Sequence, residues 1–218
     1  MEIEYLGHSS FLITTAGGVK ILTDPYDTAK YQGTLMYSMF QGEVDIVTTS
    51  HSHPDHGAAD IIKNKKMVVR ECNEFNYQGI CIKGIETAHD DSHGSARGKN
   101  IVFVIEADDL RIGHFGDLGH ILTPEQQNKI GSIDVALLPV GGYYTISALQ
   151  AHMVAKQIKA KIVIPMHYST EKCNFPIDPV SEFVEGHKNV LVRGSSVLDV
   201  TKQSLSDYPQ IVVLNYSM

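Results

Sequence analysis

At 218 residues the chain is long enough to bury a sizeable interior, and no break in composition divides it, so residues 1–218 are expected to form a single domain. A formal net charge of −7, with no basic tract beyond Lys63, Lys65 and Lys66, argues against capture of a nucleic-acid polymer and leaves a small-molecule substrate as the expected partner. Cys72, Cys81 and Cys173 show neither C-x-x-C nor zinc-knuckle spacing, which argues against a disulfide framework and reads them as spectators in a reducing compartment. The opening MEIEYLGHSSFLI lacks the basic flank and unbroken apolar core of a signal peptide, and no stretch approaches membrane-spanning length; the expected location is cytoplasmic, away from the membrane.

In chain order, short apolar runs with β character occur at 3–6, 10–15, 19–23, 44–49, 67–70, 80–85, 101–106, 110–115, 135–139, 162–165 and 190–192. Turn residues Ala16-Gly17-Gly18 and Ala107-Asp108-Asp109 join two pairs of these runs as hairpins. Residues 25–43 carry Tyr26, Tyr31, Met36, Tyr37, Met39 and Phe40 without clear periodicity, which reads as a packed loop or a homo-oligomer contact, with a wall or lid over the active site as the sharper alternative. Helical patterns are expected at 58–64, at 124–130 behind Thr123 as N-cap, at 147–159 and at 179–186. In the third of these, Leu149, Met153, Ala155 and Ile158 make an apolar stripe, and His152 reads as a surface residue. Many short strands with helices flanking them predict an α+β architecture, two face-to-face sheets between outer helices.

The chemistry concentrates after the run at 44–49, where HSHPDHG places His51, His53, Asp55 and His56 within six residues. Gathering three imidazoles and a carboxylate there is costly without a partner, and a metal centre supplies one. His51 and His53, two apart, can address one ion, while Pro54 delays any helix and leaves Asp55 and His56 to face a second. A catalytic site needs further ligands, and three polar residues stand where β runs end: His89 after GIETA, Asp117 after RIGHFG and His167 after VIPM.

The series HxHxDH, a lone His, the Asp of FGDLGH and the His of PMHY, preceded by the Asp of LTDP, resembles the metallo-β-lactamase superfamily. YLGHSSF, LLPVGG and PMHY look like the small hydrolases of the L-ascorbate-6-phosphate lactonase-like group. The resemblance implies a four-layer αββα sandwich and a dinuclear site of two divalent ions, zinc first, with manganese or iron in some relatives. By the same resemblance His51, His53 and His89 hold the first ion, Asp55, His56 and His167 the second, Asp117 bridges them, and Asp24 steadies a ligand histidine or the cluster loop. The implied reaction is metal-assisted hydrolysis of a small ester-like bond, lactone or phosphoester. Asp55 is the candidate to orient the attacking water, with His8 and Tyr144 as further catalytic candidates. His93 competes with His89 as the third ligand of the first ion, and His120 is a candidate rim group. The rival readings are a phosphodiesterase acting on a nucleotide-derived small molecule and a non-catalytic metal-stabilised binding or sensor protein.

Overall fold

The structure, a computed structural model, describes residues 1–208 and 210–218. Fourteen strands are formed among these residues: β1 (Glu2–Gly7), β2 (Ser10–Thr14), β3 (Lys20–Thr23), β4 (Glu43–Thr48), β5 (Asn64–Val69), β6 (Glu74–Tyr77), β7 (Ile80–Ala88), β8 (Lys99–Ala107), β9 (Leu110–His114), β10 (Val135–Pro139), β11 (Ile162–Met166), β12 (Val190–Val192), β13 (Val197–Asp199) and β14 (Ile211–Val213). Three helices accompany them: α1 (Pro124–Ile130), α2 (Ala148–Gln157) and α3 (Val180–Val184).

The strands make two mixed sheets, one of six in the order β13-β1-β2-β3-β4-β5 and one of eight in the order β12-β14-β11-β10-β9-β8-β7-β6. Both expected hairpins are present, β2 pairing antiparallel with β3 and β8 with β9. Alternation fixes how the smaller sheet faces. Ile3, Tyr5, Phe11, Ile13, Ile21 and Ile46 point into the main core, while Leu6, Leu22 and Val47 form a second cluster with Ala59 and Ile62. In the larger sheet β10 and β11 are buried at every position, as expected for parallel strands covered on both faces.

The helices are not evenly shared between the layers. Thr123 and Ser147 close capping boxes at the starts of α1 and α2, which make contacts with the larger sheet. Over the smaller sheet the outer layer is reduced to a single 3-10 turn, Ala58–Ile61, in place of the expected helix at 58–64. Gly57 offers no side-chain cap there, Ile62 is already extended, and Asn64 begins β5. The segment at 25–43 divides its roles. Tyr26, Leu35 and Tyr37 pack with Cys173 and Ile177, whereas Tyr31 turns towards the site described below.

Two glycines let strand-end loops approach one another closely. A Cβ on Gly141 would stand 2.2 Å from the His167 carbonyl oxygen, and one on Gly119 would stand 2.3 Å from the backbone of His89 and Asp90. Both obstacles are backbone, so neither side can yield by rotamer change alone. Gly141→Ala is expected to cost about 1–3 kcal/mol of stability, read as a lowered Tm of the metal-free protein; an unchanged Tm would contradict this packing.

Candidate metal centre

Six strands of the two sheets deliver their carboxyl ends to a common edge. His8 follows β1, Asp24 follows β3, the His51–Gly57 loop follows β4, His89 follows β7, Asp117 follows β9 and His167 follows β11. His8, Asp24 and His167 have φ of 54°, 39° and 53°, a left-handed conformation that non-glycine residues seldom adopt. Such backbone persists only where surrounding contacts enforce it. Here one contact is direct: the His167 N–H donates to the His8 carbonyl at 2.9 Å.

Asp117 lies at the centre of the cluster and is 2% exposed. Its Oδ1 is 3.1 Å from His56 Nε2; its Oδ2 is 3.1 Å from His89 Nε2, 3.4 Å from His167 Nε2 and 3.8 Å from His51 Nε2. His53 Nδ1 lies 3.1 Å from His51 Nε2. Three groups of donor atoms are each close enough to hold an ion: His51 with His53 and His89, Asp55 with His56, His167 and His8, and, behind these, Asp24 with His51 and His56. All seven expected ligands are thus brought together.

Behind this cluster sits Asp24, fully buried, accepting from His56 Nδ1–H and from the Ser50 N–H, each at 2.8 Å, and from the Ser50 hydroxyl. His51 Nδ1–H in turn donates to Ser50 Oγ at 2.9 Å. These bonds fix both rings with Nε2 turned to the centre. Burial opposes ionisation of Asp24, but the adjacent His114 and the His56 hydrogen bond outweigh it and hold its pKa below the ordinary value. Burial, with His56 nearby, pushes His51 down to about 3, leaving a neutral ring suited to ligation. In His56 burial is overcome by the charges of Asp117 and Asp55, which raise its pKa well above that of a free imidazole.

Asp55 is held from two sides. Tyr31 donates its hydroxyl hydrogen to Oδ1 at 2.9 Å, and His8 Nε2 lies 3.3 Å from Oδ2. Burial works against the Asp55 charge, and His56 with the His8 hydrogen bond prevails, keeping the carboxyl well below the usual range. Burial lowers His8 to about 4, so its ring is neutral; facing a carboxylate, Nε2 carries the hydrogen and Nδ1 accepts. The Cys173 thiol, 4.0 Å from that Nδ1, is positioned as the weak donor. Burial keeps Cys173 protonated by raising its pKa to about 11, so this cysteine is part of the site's frame and not the spectator expected from spacing.

The donor set itself is a test of whether a metal fits. His56 Nε2 and Asp117 Oδ1 are both buried and face each other at 3.1 Å, yet neither has a hydrogen-bond partner among the described residues. Imidazole nitrogens and carboxylate oxygens converging in this way suit divalent cations.

A cavity of about 310 Å³ opens above these groups, walled by Tyr31, Tyr144, Phe175 and Arg97. Tyr144, a candidate from the sequence, thus lines the same cavity as the Asp55 and Asp117 carboxylates. His93 lies on an exposed turn and His120 is half-buried; both line a separate depression, and His120 Nε2 accepts the Ala88 N–H at 3.1 Å, a backbone support next to His89. His152 is half-buried rather than superficial, its ring stacked on Phe183 and His187 with centroids 4.2 and 4.1 Å away. Sequence reasoning missed Asn100, whose Oδ1 accepts the Asp117 N–H at 2.9 Å, and His114, which spans from Ser9 towards Asp24. Neither falls in a motif. Their one shared signal is a polar residue close to the end of a strand, Asn100 near the start of β8 and His114 at the end of β9.

Comparison with known proteins agrees with this geometry. Residues 2–167 match the family model described as the beta-lactamase superfamily domain. A UPF0173 metal-dependent hydrolase of Pyrococcus abyssi is 31% identical over 195 residues, covering 78% of this chain and 85% of the relative; one of Methanobrevibacter smithii is 30% identical and covers 99% of each. A crystal structure from Thermotoga maritima, of a proposed Zn-dependent hydrolase of the metallo-beta-lactamase superfamily, superposes with a TM-score of 0.81 at 33% identity over 99% of both chains. With two mixed sheets in an α/β sandwich, a converging His/Asp centre and these relatives, the chain belongs to the metallo-β-lactamase superfamily, among its UPF0173 metal-dependent hydrolases.

Proposed function

We propose that the chain hydrolyses a small ester-like bond, a lactone or a phosphoester, using two divalent cations, with zinc foremost. The observation that carries this reading is the division of ligands into two groups that meet at one carboxylate, Asp117, whose Oδ1 faces His56 and whose Oδ2 faces His89 and His51. In this assignment His51, His53 and His89 would hold one ion, Asp55, His56 and His167 would hold the other, and Asp117 would serve both. The description of the Thermotoga maritima relative as a proposed Zn-dependent hydrolase supports zinc.

Divalent cations, when bound, would supply a more acidic water and polarise the oxygen of the bond under attack. The protein's own groups do the rest. Asp55, ionised and fixed by Tyr31 and His8, orients the water and accepts its proton. His8 acts through Asp55 by holding its Oδ2, with Cys173 behind the ring. Tyr144 faces the same cavity and donates its hydroxyl hydrogen to the oxygen on which negative charge develops. The cavity volume and the negative net charge support a small molecule over a nucleic-acid polymer, and a location in the cytoplasm is consistent with three unpaired thiols.

The zinc-loaded protein is expected to cleave at least one of a set of generic lactone, phosphodiester and thioester probes. Chelation should abolish this, and Asp55→Asn should lower it by about 100-fold or more, with the fold retained by circular dichroism. Rates unchanged by either treatment would refute the reading. A second expectation concerns the support beneath the ligands. Asp24→Asn should weaken metal affinity by about 10–100-fold in competition with a chromophoric chelator, and an affinity within twofold of the parent would show that Asp24 does not govern the His56 and Ser50 geometry.

A further inference from the structure

The cavity carries one permanently charged cation that metal binding does not require. Arg97 stands on its wall with the side chain exposed, and no carboxylate lies within ion-pairing distance of it among the described residues. Its guanidinium rests 5.6 Å from the centre of the Tyr144 ring, a cation–π contact that limits where the head group can point. The nearby acids are committed elsewhere. Asp55 and Asp117 belong to the metal centre, and Asp90 is consumed by backbone.

That use of Asp90 is what makes the position of Arg97 definite. Oδ1 accepts from the N–H groups of Ser92 and Gly94 at 2.8 and 2.9 Å, and Oδ2 from those of Ala96 and Arg97 at 3.1 and 2.8 Å. The His89 N–H closes the loop on the Gly98 carbonyl at 3.0 Å. One carboxylate thus folds the backbone between His89 and Arg97 around itself and fixes the point from which the Arg97 side chain departs, while the Tyr144 ring guides its head group. In a chain of net charge −7, an unpaired guanidinium turned to the mouth of the reaction cavity has a recognisable use: its fork of N–H donors matches an oxyanion.

We propose that Arg97 is the specificity residue of this site and that the substrate carries an anionic oxygen group, a carboxylate or a phosphate, remote from the bond that is cleaved. The proposal rests on the hydrolase reading for the word substrate, but the binding it predicts is independent of turnover. Its aromatic neighbours Tyr144 and Phe175 would cover the part of the molecule between the two ends.

Calorimetric titration of zinc-loaded protein with α,ω-dicarboxylates from malonate to adipate, each against the monocarboxylate of equal chain length, tests this. One end occupies the metals, so only the second carboxylate can report on Arg97. At the best-fitting length the dicarboxylate is expected to bind at least about tenfold more tightly, and Arg97→Ala should remove that advantage while leaving bound zinc, measured by metal analysis, unchanged. Replacing one carboxylate by a phosphonate distinguishes the two oxyanions, the tighter ligand naming the class. Equal binding of mono- and dicarboxylates, no binding of either, or an advantage that survives Arg97→Ala overturns the proposal. A protein that shows the Arg97-dependent advantage yet hydrolyses nothing sinks the hydrolase reading alone, and ester hydrolysis without the advantage sinks this one alone.

Discussion

A carboxylate taken out of water has to be met by donors or positive charge, and at Asp117 that demand is answered by imidazoles from three separate stretches of chain, the His51–His56 loop, His89 and His167. Burial alone would keep Asp117 protonated. Its pKa is instead held well below the ordinary value, burial being outweighed by His167 and His56. A group so dependent on its surroundings constrains everything that delivers them. The two sheets must end at one edge, the loops leaving them must be short, and each ring must present the correct nitrogen.

Local features of the backbone meet those requirements. Left-handed conformations at His8, Asp24 and His167 turn each side chain inwards immediately after its strand, with no intervening loop to introduce slack. Gly119 and Gly141 supply clearance where the His89 and His167 segments pass against neighbouring backbone. Asp24 then sets the rings by accepting from His56 and through Ser50 from His51, so a single buried acid governs ligands assigned to both ions. The rigid elements that surround the centre are the apolar strands of the main core, which explains how a site made from loop residues can be precise.

Much of this was legible in the chain. HSHPDHG announces itself because no packing role gathers such residues, and His89, Asp117 and His167 are visible as polar residues directly after apolar runs. The two hairpins followed from their turn residues. What escaped has physical reasons. β13 and β14 are three residues long and pair with β1 and with β11 and β12, so no local periodicity marks them. The pattern at 58–64 has helical spacing, but without a cap and with β5 beginning at Asn64 tertiary pairing prevails over it. Tyr31, Asn100 and Arg97 act through contacts with residues far along the chain or through a loop folded about Asp90, and nothing in their immediate sequence says so.

The central claim is that two ions share Asp117. Anomalous X-ray diffraction from crystals of the zinc-loaded protein addresses it directly. The account predicts two peaks about 3.5–4 Å apart, one bonded by His51, His53 and His89, the other by Asp55, His56 and His167, with Asp117 bonded to both. A single peak, or peaks away from these side chains, would contradict it.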